Sequence, residues 1–183
     1  MNYKNFNNEV FLSRLGMGNM RLPIKENEPG KPIDYEKGQE IIDYCISQGI
    51  NYFDTAYIYH DGESEVFLGK ALATYPRDSY YIADKYKQSA NPDYKAQFNE
   101  QLNRLNVDYI DFYLLHGISD HTSKDYLTNG CIEYFLELKK KGKIKHLGFS
   151  FHGKPNVLEE IASHHQWDFA QIQLNYYDWK FLE

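Results

Sequence analysis

The sequence predicts an α/β protein of the (β/α)8 (TIM) barrel type, and three observations lead to this fold class. Short apolar strands alternate with amphipathic helices along the 183 residues, which implies parallel strands joined by helical crossovers. Reactive side chains stand at the carboxyl ends of several different strands, as in barrel enzymes. An open doubly wound sheet is the other candidate, but Gly16-Met-Gly18 lacks the third glycine of GxGxxG and no helix follows it directly.

The first elements precede the regular alternation. The Asn7-Asn8 pair lies between two short apolar segments and predicts the turn of a hairpin over residues 3–12. Arg14–Gly18 is predicted as the first barrel strand, whose glycines permit a close approach of backbone or ligand. Asp34 is the predicted N-cap of a helix over Tyr35–Ser47, which has its apolar residues on one face.

Strands and helices then alternate to the end of the chain. Further strands are predicted at 52–54, 80–83, 109–115, 144–149 and 169–174, and helices at 63–73, 92–105, 125–141 and 155–163. A long loop is predicted over 117–124.

The chain length bounds how much of a barrel is present. A barrel takes about 250 residues, or about 30 per unit, so 1–183 is predicted to be a single domain holding about the first six units. It stops just after strand six, at Trp179–Glu183, and is expected to be the N-terminal part of a barrel cut short. Its first and sixth strands would be open edges, which favour self-association.

Composition excludes several classes of function. A net charge of −6 provides no basic surface for nucleic acid or an anionic membrane. No apolar run approaches the length of a membrane span, and the N-terminus lacks the apolar segment of a signal peptide. Cys45 and Cys131 are far apart, and the histidines lack metal-ligand spacing. We therefore expect a cytoplasmic protein without a metal site or structural disulfide.

Four reactive side chains follow three successive strands. Asp54 ends the strand after Asn51, and Tyr59 lies in the loop that follows; Lys85 and His116 end the next two strands. Because the carboxyl ends of parallel strands meet at one mouth, we expect these groups to converge there.

The chemistry of such a cluster suits a carbonyl group. A phenol donates a proton poorly near neutral pH unless its anion is stabilised, and an ammonium about 4 Å away contributes roughly 4 kcal/mol. Lys85 would supply that charge to Tyr59, and Asp54 would aim it. A neutral His116 could hydrogen-bond a carbonyl oxygen. Since the cluster lacks a nucleophile, a cofactor would have to supply a hydride.

Four stretches resemble the aldo-keto reductase family, in the family's order. They are Phe53-Asp-Thr-Ala-Tyr-Ile-Tyr59, Glu63-Ser-Glu-Val-Phe-Leu-Gly69, Arg104-Leu-Asn-Val-Asp-Tyr-Ile-Asp111 and Leu114-Leu-His116. The resemblance implies an NADPH- or NADH-dependent oxidoreductase that reduces an aldehyde or ketone to an alcohol. It implies Tyr59 as the acid, Lys85 and Asp54 as the groups that tune it, and His116 as the group that orients the carbonyl.

The resemblance also implies a cofactor surface. Ser150 and Gln171 match positions that hold the nicotinamide carboxamide, and we assign Gly18, Met20 and Asp54 to the same surface. After Ser150 the family usually has Asn-Phe, whereas this chain has Phe-His, so one carboxamide contact is altered or replaced.

The stretches 148–152 and 173–179 resemble a bacterial subgroup that often ends in a ferredoxin-like iron–sulfur domain, and no residue of this chain matches such a cluster site. The family's phosphate clamp lies on the seventh and eighth units, beyond the six predicted here. The alternative to an enzyme is a catalytically idle barrel fragment that needs a partner or self-association.

Overall fold

The barrel-type α/β fold is confirmed by the strand order of the structure, a computed structural model that describes residues 1–8 and 10–175. Six parallel strands, β3 to β8, lie side by side in sequence order and form a curled sheet with helices between them. A doubly wound sheet would reverse its strand order partway, so this order identifies a barrel segment. The described edges of the sheet are β3 and β8.

The element bounds are as follows. The strands are β1 (Tyr3–Phe6), β2 (Val10–Ser13), β3 (Met17–Gly18), β4 (Tyr52–Asp54), β5 (Tyr81–Tyr86), β6 (Ile110–Ile118), β7 (Ile144–Phe151) and β8 (Phe169–Ile172). The helices are α1 (Tyr35–Ser47), α2 (Glu63–Leu72), α3 (Tyr94–Leu105), α4 (Ser123–Thr128), α5 (Cys131–Lys140) and α6 (Pro155–His164). The predicted end of the chain at Trp179–Glu183 lies outside the described residues.

Two predicted elements are corrected by the structure. The helix predicted over 125–141 is two helices, because Gly130 adopts a left-handed φ of 80° and the Asn129 side chain accepts a hydrogen bond from the Cys131 amide at 2.9 Å. The predicted loop over 117–124 is also shorter, since β6 extends to Ile118 and α4 begins at Ser123. The first barrel strand is only Met17–Gly18, because the Arg14 amide donates to Asn2 beside the hairpin.

The alternation of side chains along each strand separates two apolar layers. On β4 to β7 the outward residues, such as Phe53, Ile82 and Tyr113, are buried in the large core between sheet and helices. The inward residue Phe112 instead packs against Phe6 of the hairpin, with ring centroids 5.4 Å apart. The hairpin thus plugs the interior of the sheet and leaves the carboxyl ends of the strands for functional side chains.

No helix in the part of the chain that the structure describes is long and apolar enough to cross a bilayer.

The packing of α2 on α3 depends on Gly69. A Cβ atom at this position would lie 2.4 Å from the carbonyl oxygen of Leu105. The backbone at the end of α3 can therefore approach α2 this closely only because residue 69 has no side chain. We predict that Gly69→Ala destabilises the fold by about 1–3 kcal/mol, because the backbone of Leu105 would have to move. This loss should appear in urea denaturation even though alanine favours helix formation.

Gly18→Ala is the matched control, since a Cβ there meets nothing within 4 Å and its φ is −94°. It should change the free energy of unfolding by less than about 0.5 kcal/mol. Equal stability of both variants would contradict the close helix contact.

Candidate active site

The structure brings Asp54, Tyr59, Lys85 and His116 together at the carboxyl ends of β4, β5 and β6. The Lys85 ammonium donates to Asp54 Oδ1 at 2.5 Å and lies 3.4 Å from Tyr59 Oη. The rings of Tyr59 and His116 meet edge to face, with centroids 5.8 Å apart. The four side chains therefore form a single cluster, in which β4 and the turn after it supply two residues and β5 and β6 supply one each.

Lys85 is the centre of this cluster. Its side chain is almost fully buried, at 2% exposed, and its third contact is the carbonyl oxygen of Thr55 at 2.7 Å. The carboxylate of Asp54 compensates the buried charge, and the three contacts occupy the three donors of an ammonium group. The Lys85 side chain is consequently held in one orientation, with a hydrogen directed at the Tyr59 hydroxyl.

A buried polar network holds the backbone on both sides of Lys85. Gln101 Nε2 donates to the Lys85 carbonyl at 3.1 Å and to Glu65 Oε1 at 3.0 Å, and Asp84 Oδ1 accepts from the Lys85 amide at 2.7 Å. Arg104 pairs with Glu65 at 2.9 Å. Burial raises the pKa of both the Asp84 and the Glu65 carboxyl groups, and the neighbouring Glu65 charge raises that of Asp84 further, well above its usual range.

Gln101 and its neighbours were missed by the sequence reasoning. Gln97, Gln101 and Arg104 lie at helical spacing on the face of α3 that packs inward, and both glutamines are fully buried. A stripe of amides and a guanidinium on a core-facing helix is the signal that could have indicated them.

The turn after Ile58 aims Tyr59. His60 and Asp61 adopt left-handed φ values of 50° and 55°, and Gly62 follows at 90°. Such a backbone is unfavourable for residues with a Cβ atom, so its surroundings must hold it. The Leu22 amide donates to His60 Nε2 at 3.2 Å, and the guanidinium of Arg104 lies against Gly62. The direction of the phenol is therefore fixed by a strained turn.

His116 is neutral at the pH of most cells. Burial first, then the positive charges of Lys85, Lys87 and His152, lower the pKa of His116 to about 3. Its Nδ1 atom is buried without a hydrogen-bond partner in the described structure. A neutral imidazole has one donor and one acceptor nitrogen, so the side chain can offer an N–H to a carbonyl oxygen.

The predicted cofactor residues fall into two groups. Gly18, Asp54 and Gln171 line one cavity of ≈ 460 Å³ between the edge strands β3 and β8, and Phe6 and Leu12 of the hairpin also line it. Met20 is 58% exposed, and the buried Ser150 has its Oγ already engaged by the Gly117 amide at 2.7 Å; neither lines this cavity. The cavity reaches the four-residue cluster at Asp54, while Tyr59, Lys85 and His116 lie outside its lining.

Two buried acceptors could serve a bound cofactor: one on Asp54, which lines the cavity, and one on Asn19, which is hydrogen-bonded to Asp54 and is not part of the lining. Asp54 Oδ2 and Asn19 Oδ1 have no hydrogen-bond donor among the described residues. Asn19, which the sequence reasoning missed, donates its Nδ2 to the Asp54 carbonyl at 2.9 Å and is fully buried. Unsatisfied buried acceptors are costly, and a ligand with hydroxyl or amide donors would satisfy them. Within the described ranges, no group of three or more histidine, cysteine or carboxylate side chains could hold a metal ion.

Comparisons with known proteins agree with this architecture. Residues 14–182 match the sequence model of the Aldo/keto reductase family. A Glycine max protein named Probable aldo-keto reductase 1 is 32% identical over 176 residues, which are 88% of this chain and 48% of that protein. The NADH-specific methylglyoxal reductase of Escherichia coli is 28% identical over 163 residues, 76% of this chain and 48% of that enzyme.

A solved structure shows the same likeness. The holo form of an aldo-keto reductase from Bacillus halodurans superposes with a TM-score of 0.76 at 32% identity, covering 95% of this chain and 58% of that one. The chain spans about half the length of the curated relatives described above, 48% in each case.

The neutral state of His116 should make folding stability depend on pH. The unfolded chain takes up a proton at His116 below pH 6.5, whereas the folded chain does so only near pH 3. Stability is therefore lost as pH falls through this window, and His116 should contribute roughly 3 kcal/mol of the loss between pH 7 and pH 4. Urea denaturation of His116→Gln should show a correspondingly flatter pH dependence.

The exposed His164 provides the control. The pH dependence of His164→Gln should match that of the unmodified protein. If the stability of His116→Gln has the same pH dependence as that of the unmodified protein, the conclusion that His116 is buried in its neutral form is wrong.

Proposed function

The chain belongs to the Aldo/keto reductase family, and we propose that its site reduces an aldehyde or ketone to an alcohol with a hydride from NADPH or NADH. The observation that supports this most directly is the Lys85 ammonium shared between the Asp54 carboxylate and the Tyr59 hydroxyl. A cation held against a phenol favours loss of the phenolic proton. The cluster therefore suits a reaction in which a carbonyl oxygen gains a proton.

Tyr59 is the proposed general acid. As the carbonyl oxygen gains negative charge, the phenol transfers its proton to it, and the phenolate that remains is stabilised by Lys85. At an effective dielectric of about 20, opposite unit charges about 4 Å apart attract by roughly 4 kcal/mol. Asp54 holds Lys85 in place, and its carboxylate compensates the charge of the buried ammonium.

His116 is the proposed orienting group. Its ring lies edge to face against Tyr59, and its neutral state leaves an N–H free to donate to the same carbonyl oxygen. Two donors fixed beforehand around one oxygen stabilise the charge that develops on it. Their rigid placement also limits the orientations of the substrate.

The cavity between β3 and β8 is the proposed nicotinamide site. Gly18, Asp54 and Gln171 line it, and the unsatisfied acceptors of Asp54 and Asn19 would receive donors from the nucleotide. When bound, the reduced nicotinamide supplies the hydride. Met20 and Ser150 are proposed as further contacts at the rim of this surface; the Ser150 hydroxyl accepts from the Gly117 amide at 2.7 Å and donates to the Leu115 carbonyl at 3.5 Å, so a nucleotide would compete for this long second bond.

Tyr59→Phe should abolish carbonyl reduction while leaving the affinity for NADPH nearly unchanged. The substitution removes the hydroxyl group, and with it both the transferable proton and the contact with Lys85, while the ring keeps its contact with His116. We expect kcat to fall by at least about a hundredfold, the usual share of general acid catalysis. Steady-state kinetics with benzaldehyde and nucleotide fluorescence measure the two quantities.

Tyr57→Phe is the matched control. The Tyr57 hydroxyl bonds Glu100 at 2.7 Å, away from Lys85, so this variant should retain its kcat. Retained turnover in Tyr59→Phe would exclude Tyr59 as the acid.

The open edges of the sheet favour a second candidate, a barrel fragment that is idle until its edges are paired. Both β3 and β8 border the cavity, and Ile172 on β8 is 45% exposed. Unpaired edges invite further strands, either from additional barrel units or from a second copy of the chain.

Light scattering combined with NADPH fluorescence separates these cases for the 183-residue chain. Saturable binding by a monomer would support a nucleotide site that is complete in this chain and exclude the idle fragment. Binding only in a dimer, or no binding at all, would support edge pairing as a requirement.

A further inference from the structure

Lys87 is a second lysine at the mouth of the site, and its backbone is held in place by hydrogen bonds. On β5 the residues Tyr81, Ala83 and Lys85 alternate inward, and Lys87 continues this series just beyond the strand end. Gln97 holds its backbone on both sides: the Lys87 amide donates to Gln97 Oε1 at 2.7 Å, and Gln97 Nε2 donates to the Lys87 carbonyl at 3.1 Å. Because Gln97 is fully buried, the position is fixed by the interior of the protein.

No anionic side chain among the described residues compensates the charge of Lys87. Its half-buried ammonium forms no ion pair with any residue in the described ranges, whereas Lys85 pairs with Asp54. Partial burial accordingly lowers the pKa of Lys87. A cation that loses hydration without gaining a carboxylate is unfavourable in a folded protein, unless a ligand supplies the anion.

The contacts of the ammonium do not account for its position. Its only hydrogen bond in the described structure runs to the His116 carbonyl at 3.4 Å, and that carbonyl already accepts from Tyr126 Oη at 2.8 Å. The ammonium also lies close to Gly117, where a Cβ would be 3.4 Å from Lys87 Nζ. The field of Lys87 reaches the His116 ring, as does that of His152.

We propose that Lys87 forms an anion subsite beside the reacting carbonyl, and that the preferred substrates are aldehydes or ketones bearing a carboxylate or phosphate group. The proposal rests on the carbonyl reduction proposed above. Two residues along a strand separate Lys87 from Lys85 by about 7 Å of backbone, which suits an anionic group several bonds from the carbonyl. His152, exposed at the same mouth, would add positive charge when protonated.

The test compares the expressed protein on 4-carboxybenzaldehyde and on methyl 4-formylbenzoate, which differ in charge at one end. We expect kcat/KM to be at least about tenfold higher for the carboxylate at low ionic strength, mainly through KM, and the preference to shrink as salt is added. Lys87→Gln should remove the preference without slowing reduction of the ester, and Lys87→Arg should retain it. Lys124→Gln, on the surface of α4, serves as the control.

Glyceraldehyde 3-phosphate and glyceraldehyde form a second arm, which separates a phosphate preference from a carboxylate preference. Equal kcat/KM for the charged and neutral members of both pairs in the unmodified protein would overturn the anion subsite and leave carbonyl reduction standing. A preference that persists unchanged in Lys87→Gln would also overturn it. Failure to reduce any of the four compounds would instead overturn the proposed function, on which this inference rests.

Discussion

The buried ion pair between Asp54 and Lys85 is the interaction on which the rest of the site depends. Removing two charges from water costs several kcal/mol for each ion, so such a pair persists only where geometry and further hydrogen bonds compensate it. Here the Thr55 carbonyl supplies another acceptor to Lys85, while the Gln101 amide and the Asp84 carboxyl group hold its backbone. The buried polar side chains behind β5, Gln101 and Asp84, are therefore explained by the need to hold Lys85 in place.

Along the strands, the residues that pack the interior of the sheet lie at one end and the residues of the proposed site lie at the other. The hairpin packs Phe6 against Phe112 inside the sheet, so the amino-terminal half of the interior is filled with aromatic rings. Towards the carboxyl ends the same inward face holds Lys85 and His116. The strained turn at His60 lies on this side as well, consistent with backbone strain collecting where a side chain must be aimed.

The sequence predicted the strand order and the meeting of the four catalytic candidates, because both follow from local patterns: alternating elements, and polar residues at strand ends. It did not predict Gln101 or Asn19, since a polar residue in a helix or a loop is usually solvated and its burial depends on distant partners. It also missed the helix break at Gly130, where one left-handed residue interrupts an otherwise continuous apolar pattern. Nor could a residue pattern show that Lys87 is clamped by Gln97 and has no carboxylate partner among the described residues.

In the proposed reaction a hydride passes from nicotinamide to a carbonyl carbon while Lys85 supports the proton donor. The most direct measurement supplies the expressed protein with NADPH carrying deuterium at both C4 positions, together with an aldehyde, and analyses the alcohol by mass spectrometry. We expect one deuterium on the former carbonyl carbon, and no labelled alcohol from Lys85→Met. Alcohol formed without deuterium, or equal labelling by the Lys85→Met variant, would contradict the account.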